Sequence, residues 1–229
     1  MPHPLDNPIR ASLTGQHARF AERRGDVLRY QVDVAPFLSL PDDPGEADWA
    51  DAAVLVGPGG LLPLPGLEAT PPAGWEVQVF GEGVQMTGDD LVVADDPEVV
   101  RLGPADVADM LDLTSRAKPG PFRPRTYELG TYLGIRVDGK LVAMAGERMH
   151  PPGWSEISAV CTDDAFRGQG LATRLVRAVG AVIRGQGEIP FLHAAADNVN
   201  AIRLYEQLGF QLRRTSVFSA VRVPLTVQT

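Results

Sequence analysis

The chain has 229 residues, is 44% hydrophobic, carries a formal net charge of −8 and contains one cysteine, Cys161. That length holds one large or two small domains with a real core, no apolar run approaches the roughly 18 residues of a membrane span, and one cysteine excludes an internal disulfide. The charge is uneven: residues 1–97 carry 5 Lys and Arg against 16 Asp and Glu, whereas residues 98–229 carry 16 against 13, so the acidic balance argues against broad nucleic-acid binding and the second part suits an anionic ligand.

Met1 to Arg10 is rich in Pro and polar groups, without a basic segment followed by an apolar stretch. The expectation is therefore no secretory leader and a cytoplasmic location. Leu5 to Arg24 reads as partly helical, with His17, Phe20 and Ala21 on an inner face. Val32 to Leu40 reads as extended. Ala53 to Val56 and Trp75 to Phe80 read as strands, separated by a Gly/Pro-rich loop over residues 57–72, and Met86 to Val93 as another. Val99 to Leu102 is a short strand. Pro104 opens a helix with Val107, Met110, Leu111 and Leu113 on its apolar side, and the Pro-rich run from Lys118 to Pro124 ends it. Thr131 to Val137 and Lys140 to Arg148 form a hairpin about Asp138-Gly139. Trp154 to Thr162 is a further strand.

Two segments then carry chemistry. The first runs from Val160 to Ala172 and reads as strand, glycine turn and helix start. Glycine accepts φ > 0 and has no Cβ to block approach, and the first N–H groups of a helix lack intrahelical partners and carry partial positive charge. Gly168 and Gly170 thus make an anion cradle, Ala172 allows close approach, and Arg167 adds a full charge. The helix behind it has Leu171, Leu175, Val179 and Ile183 at four-residue spacing, with Gly185 and Gly187 at its end. A dinucleotide fingerprint would need a third glycine where Thr173 stands. A Walker loop would need Gly-Lys-Ser/Thr. The second segment follows a strand over Phe191 to Ala196. Asp197 or Asn198 caps a helix with Ala201, Leu204 and Leu208 inside, and Gly209 ends it. A strand pair over about Phe210 to Val223 closes the chain.

Together these segments resemble the GNAT (GCN5-related) N-acetyltransferase superfamily. Its Arg-x-x-Gly-x-Ala pattern is met by Arg167, Gly170 and Ala172, and its Asn-x-x-Ala-x-x-Leu-Tyr-Glu-x-x-Gly-Phe pattern is met from Asn198 to Phe210. The resemblance covers about residues 98–229. It implies an α/β fold with a mixed, mostly antiparallel sheet flanked by helices. Residues 1–97 are expected to be an α/β accessory domain, for which descent from a degenerate second copy of the same fold is one reading. The resemblance further implies acetyl-CoA as co-substrate, an amine acceptor and no metal. By it, Arg167, Gly168, Gln169, Gly170, Leu171, Ala172 and Thr173 meet the pyrophosphate. The strand residues Val160, Cys161 and Thr162 meet the pantetheine arm and supply an oxyanion N–H, and Asn198 also meets that arm. Tyr205 protonates the leaving thiolate.

The attacking amine must lose a proton. Glu156 leads as base, because strand alternation puts it on one face with Ser158, Val160 and Thr162. Glu147 is second and His193 third. Cys161 reads as a small strand residue, since no His/Asn partner pattern marks a nucleophile. The competing readings are a CoA-binding sensor or interaction module without turnover, and transfer of a longer acyl group. The acceptor is left open: its recognition is expected from residues 117–128, with Arg116, Lys118, Arg123 and Arg125 nearby, and from the first half. Monomer and homodimer both remain open.

Overall fold

The computed structural model describes residues 3–64 and 70–225; residues 65–69 of the Gly/Pro-rich loop lie outside them. The first half opens with helix α1 (Pro8–Leu13) and strands β1 (Ala21–Arg24), β2 (Val27–Tyr30) and β3 (Leu38–Ser39), which form a three-stranded antiparallel sheet. The helical part of Leu5 to Arg24 is thus shorter than its pattern predicts, and Val32 to Leu40 is mostly turn and coil. Helix α2 (Glu46–Val56) replaces the strand expected at Ala53 to Val56. A short apolar run cannot by itself choose between helix and strand. Here the helix start decides: Glu46 and Asp48 lie in the first turn, and the Asp48 carboxylate accepts the Gly45 N–H at 2.9 Å, which offsets an orphan donor and the dipole together.

An eight-stranded sheet carries the rest. Its strands are β4 (Leu61–Pro63), β5 (Glu76–Thr87), β6 (Val100–Leu102), β7 (Tyr132–Val137), β8 (Lys140–Glu147), β9 (Trp154–Thr162), β10 (Ile189–Ala195) and β11 (Gln211–Arg222), in the order β4-β11-β5-β10-β9-β8-β7-β6. Among the described residues only β9 and β10 pair in parallel. The β7–β8 hairpin turns where expected, with Asp138 and Gly139 both at positive φ, as a two-residue hairpin requires.

Two expectations fail in this sheet. The predicted strands at Trp75 to Phe80 and Met86 to Val93 are one strand, β5, which ends at Thr87. The predicted strand pair at the end of the chain is the single strand β11, whose partner is β5. A 12-residue strand from the first half lies between β10 and β11 and takes the place that a local hairpin would fill.

Helices cover both faces. On one, α4 (Leu171–Gly185) and α5 (Val199–Leu208) bury Leu175, Val176, Val179, Ile183 and Leu208 against Val142, Ile157 and Leu192. Each such side chain contributes about 1.5–3 kcal/mol by leaving water. On the other, α3 (Val107–Ala117) places Met110 and Leu113 over Tyr132 and Met144. A second core there, with Leu5, Tyr30 and Phe37, seats the first half on Met149 and Phe191.

Candidate active site

The site begins where two parallel strands part. β10 pairs with β9 only as far as Phe191 opposite Glu156, and Ile157 to Thr162 beyond that point line one wall of a cleft of about 1720 Å³. A bulge shapes this wall. Ala145 of β8 faces both Ala159 and Val160, and Ala159 has φ +53. The extra residue reverses the alternation: Ile157 and Val160 pack on the α4 side, Ala159 and Cys161 on the α3 side. The expectation that Glu156 shares a face with Val160 and Thr162 therefore fails, because a bulge breaks the two-residue period.

The glycine turn ends in the same cleft. Gly168 and Gly170 both have φ +76, and Gly170 is the cap residue of α4. A Cβ on either would meet nothing within 4 Å, so backbone conformation and free space, not crowding, call for glycine. Arg167, Leu171, Ala172 and Thr173 line the cleft; Arg167 is mostly exposed and pairs with Asp164 at 2.7 Å. Gln169 is exposed and is not among the lining residues. The geometry fits a diphosphate: unsatisfied helix N–H groups, an open approach and a nearby guanidinium.

Tyr205 is buried in the last turn of α5 and reaches the cleft, with its ring against Phe210. Burial pushes its hydroxyl up to about 12, so it keeps its proton at neutral pH and faces the cleft as a donor. Asn198 also lines the cleft, and its side chain caps α5 by accepting the Ala201 N–H at 3.2 Å. Burial likewise raises the Cys161 thiol to about 12, which disfavours a thiolate nucleophile there.

The three base candidates separate. Glu156 is fully buried and is not a lining residue. The Arg148 guanidinium grips both its oxygens at 2.7 and 2.8 Å, and His193 Nδ1 lies 2.7 Å from Oε1. Burial works to raise this carboxyl, but Arg148 and then His193 overcome it and hold it at about 2. Glu147 belongs to a different buried cluster, where it accepts the Thr131 N–H and the Ser155 hydroxyl, both at 2.9 Å, near His150. His193 alone of the three lines the cleft. Neither Arg148 nor Gln85, which also touches His193, was singled out by the sequence reading. An arginine at the end of a buried strand needs a partner, and that signal alone could have marked Arg148.

The first half supplies much of the cleft lining: His3, Asp6, Phe37, Leu40, Asp42 and Phe80 are among its residues. Of the basic loop, Lys118 lines the cleft, whereas Arg116 pairs with Asp112 and Asp163 and Arg125 with Glu128 and Asp33. Among the described residues no three His, Cys, Asp or Glu side chains converge as a metal site.

The family model described as FR47-like protein matches residues 132–219. A crystal structure of a GNAT-family protein from Novosphingobium aromaticivorans DSM 12444, described as a putative acetyltransferase, superposes with a TM-score of 0.88 at 38% identity, over 98% of this chain and 100% of that one. This chain belongs to the GNAT acetyltransferase family. The N-alpha-acetyltransferase RimI of Mycobacterium tuberculosis is 36% identical over 83 residues, which are 35% of this chain and 51% of that protein. An uncharacterized protein of Mycobacterium leprae is 33% identical over 135 residues, 52% of this chain and 36% of its own length. The chain thus spans about half or less of the curated relatives it matches. A GCN5-related N-acetyltransferase from Kribbella flavida, at 20% identity and a TM-score of 0.61, shares the fold. The FR47-like match includes the glycine turn and Tyr205 but begins after β5, so Gln85 lies outside it.

Proposed function

We propose that this GNAT protein is an acetyl-CoA-dependent N-acetyltransferase that passes the acetyl group directly to an amine in a ternary complex. The observation that carries the reading is the opening of the α4 cradle, the splay of β9 from β10 and Tyr205 into one cleft. An amine enters along the part of the cleft lined by the first half. Its nitrogen attacks the thioester carbon, the N–C bond forms and the C–S bond breaks. Backbone N–H groups near the bulge at Ala159 and Val160 meet the oxyanion. Tyr205 gives its proton to the departing thiolate. The proton released by the amine goes to His193 Nε2, and the Glu156 carboxylate balances the resulting charge. In this reading Glu156 acts through His193, because a carboxylate held at about 2 and closed in by Arg148 and His193 is a weak base on its own.

The acceptor class is an amine on a small molecule or peptide; the RimI likeness puts peptide N-termini in the first screen. Neither nucleic acid nor a membrane takes part, the location is cytoplasmic, and the protein works as a monomer or homodimer. Among the described residues no helix is long and apolar enough to cross a membrane. Calorimetric titration with acetyl-CoA, wild type beside Gly170→Glu, tests the reading. Binding by the wild type and loss in the variant support it, and thiol release with an amine panel then identifies the acceptor. No binding by the wild type overturns it; binding with no turnover on any amine favours a CoA-sensing role.

A further inference from the structure

Gln85 sits on β5, inside the sheet, and is 1% exposed. Three contacts surround its side-chain amide. Its Oε1 accepts from Arg213 Nη1 at 2.8 Å, its Nε2 donates to the Leu5 carbonyl at 2.9 Å, and the same Nε2 lies 3.1 Å from His193 Nε2. A guanidinium only donates and a carbonyl only accepts, so the two outer contacts fix which end of the amide is which. Asp6 in turn holds Arg213 at 2.5 Å. The amide hydrogen left over points at His193 Nε2, and that nitrogen can accept it only if it bears no proton. The imidazole proton is then on Nδ1, where the Glu156 oxygen 2.7 Å away requires a donor. Every group in the chain Asp6–Arg213–Gln85–His193–Glu156–Arg148 is satisfied by one arrangement of hydrogens only.

We infer that Gln85, a residue of the first half, is a positioning residue that acts with the Glu156 carboxylate to hold His193 as the Nδ1–H tautomer, with Nε2 aimed as the proton-accepting nitrogen. The inference rests on the reading of His193 as the acceptor of the amine proton. The Gln85 contact is the longest of the three around its amide, and it yields the Nε2 lone pair when an acceptor amine arrives. The first half is thereby part of the catalytic machinery as well as a wall of the cleft. His193 on β10 reports on Leu5, Asp6 and Gln85, which precede it by more than a hundred residues.

Long-range ¹H–¹⁵N correlation on the full chain with ¹⁵N-labelled histidine tests this without any co-substrate. Only four histidines are present, and His193→Gln assigns the signal. The expected wild-type signature is a protonated Nδ1 and a bare Nε2. Gln85→Leu removes the donor to Nε2 while Glu156 still holds the proton on Nδ1, so the Nε2 resonance moves downfield, towards that of a nitrogen without a hydrogen bond. Gln85→Asn, whose shorter amide falls short of Nε2, gives the same shift if Gln85→Leu fails to fold. An Nε2–H signature in the wild type, or an Nε2 resonance unmoved in both variants, overturns the inference. In turnover assays Gln85→Leu should lower kcat ~10-fold or more and leave acetyl-CoA affinity unchanged. If the Nε2 signal responds but His193→Gln retains full turnover, the positioning stands and the assignment of His193 as proton acceptor is what fails.

Discussion

Replacing Glu156 with Gln removes one half of a buried ion pair, and its cost follows from the geometry. Arg148 keeps its charge with 13% of its side chain exposed and loses both of its carboxylate contacts. The carboxyl is held at about 2 against an ordinary 4.5; at about 1.4 kcal/mol per unit, that preference for the ionised form is worth about 3 kcal/mol. Breaking a buried pair from one side costs ~3–5 kcal/mol, and the two figures agree. Urea unfolding at pH 7 reads the effect. With a slope near the upper end of ~1–3 kcal/mol/M, the midpoint should fall by ~1–1.5 M. The double variant Glu156→Gln/Arg148→Met should be more stable than Glu156→Gln alone, because no uncompensated charge remains. The sign in pH follows: a depressed carboxyl stabilises fully above about 4.5, and that stability is lost as pH falls towards 2. A cost for Glu156→Gln under about 1 kcal/mol would refute the reasoning. Lost turnover in this variant counts as chemistry only at a urea concentration and temperature where it is folded.

Two further outcomes are expected. Tyr205→Phe should slow turnover ~10²–10⁴-fold while acetyl-CoA affinity holds; an effect under about threefold would make the tyrosine a packing residue. His17 is buried between Tyr30, at 2.8 Å, and the Leu129 carbonyl, at 3.0 Å; burial, then His150, lowers it from 6.5 to about 4. Its contribution is complete above 6.5 and is lost as pH falls towards 4, by about 2 kcal/mol between pH 7.5 and 5. Urea midpoints at those two values should show that loss shrinking in His17→Gln, and equal losses in both proteins would exclude His17 as the titrating group.

Local features were legible where the chain spells them locally. Gly168 and Gly170 before an amphipathic helix, Asn198 at a cap and Gly209 past a helix end are short-range signals, since φ > 0 and orphan N–H groups concern neighbouring residues. The FR47-like match and the GNAT crystal structure bear out the family and fold that those residues pointed to. The run Ala53 to Val56 misled because its strand-like composition was overridden by a helix start several residues earlier. The alternation drawn through Glu156 failed at a bulge that nothing in the residue types announces.

By itself, then, the sequence determined the order of the β7-to-α5 elements, the cradle and the position of Tyr205, all set by contacts within a few residues. Only the tertiary structure decided which side chains meet across the sheet. It put β5 between β10 and β11, turned Glu156 to the face of Arg148 and His193, and set Glu147 in a cluster of its own. Strand order and register are fixed by burial of whole faces and by hydrogen bonds between segments far apart in the chain. A hydrogen-bond network spanning Asp6 to Arg213 therefore has no local signature to read.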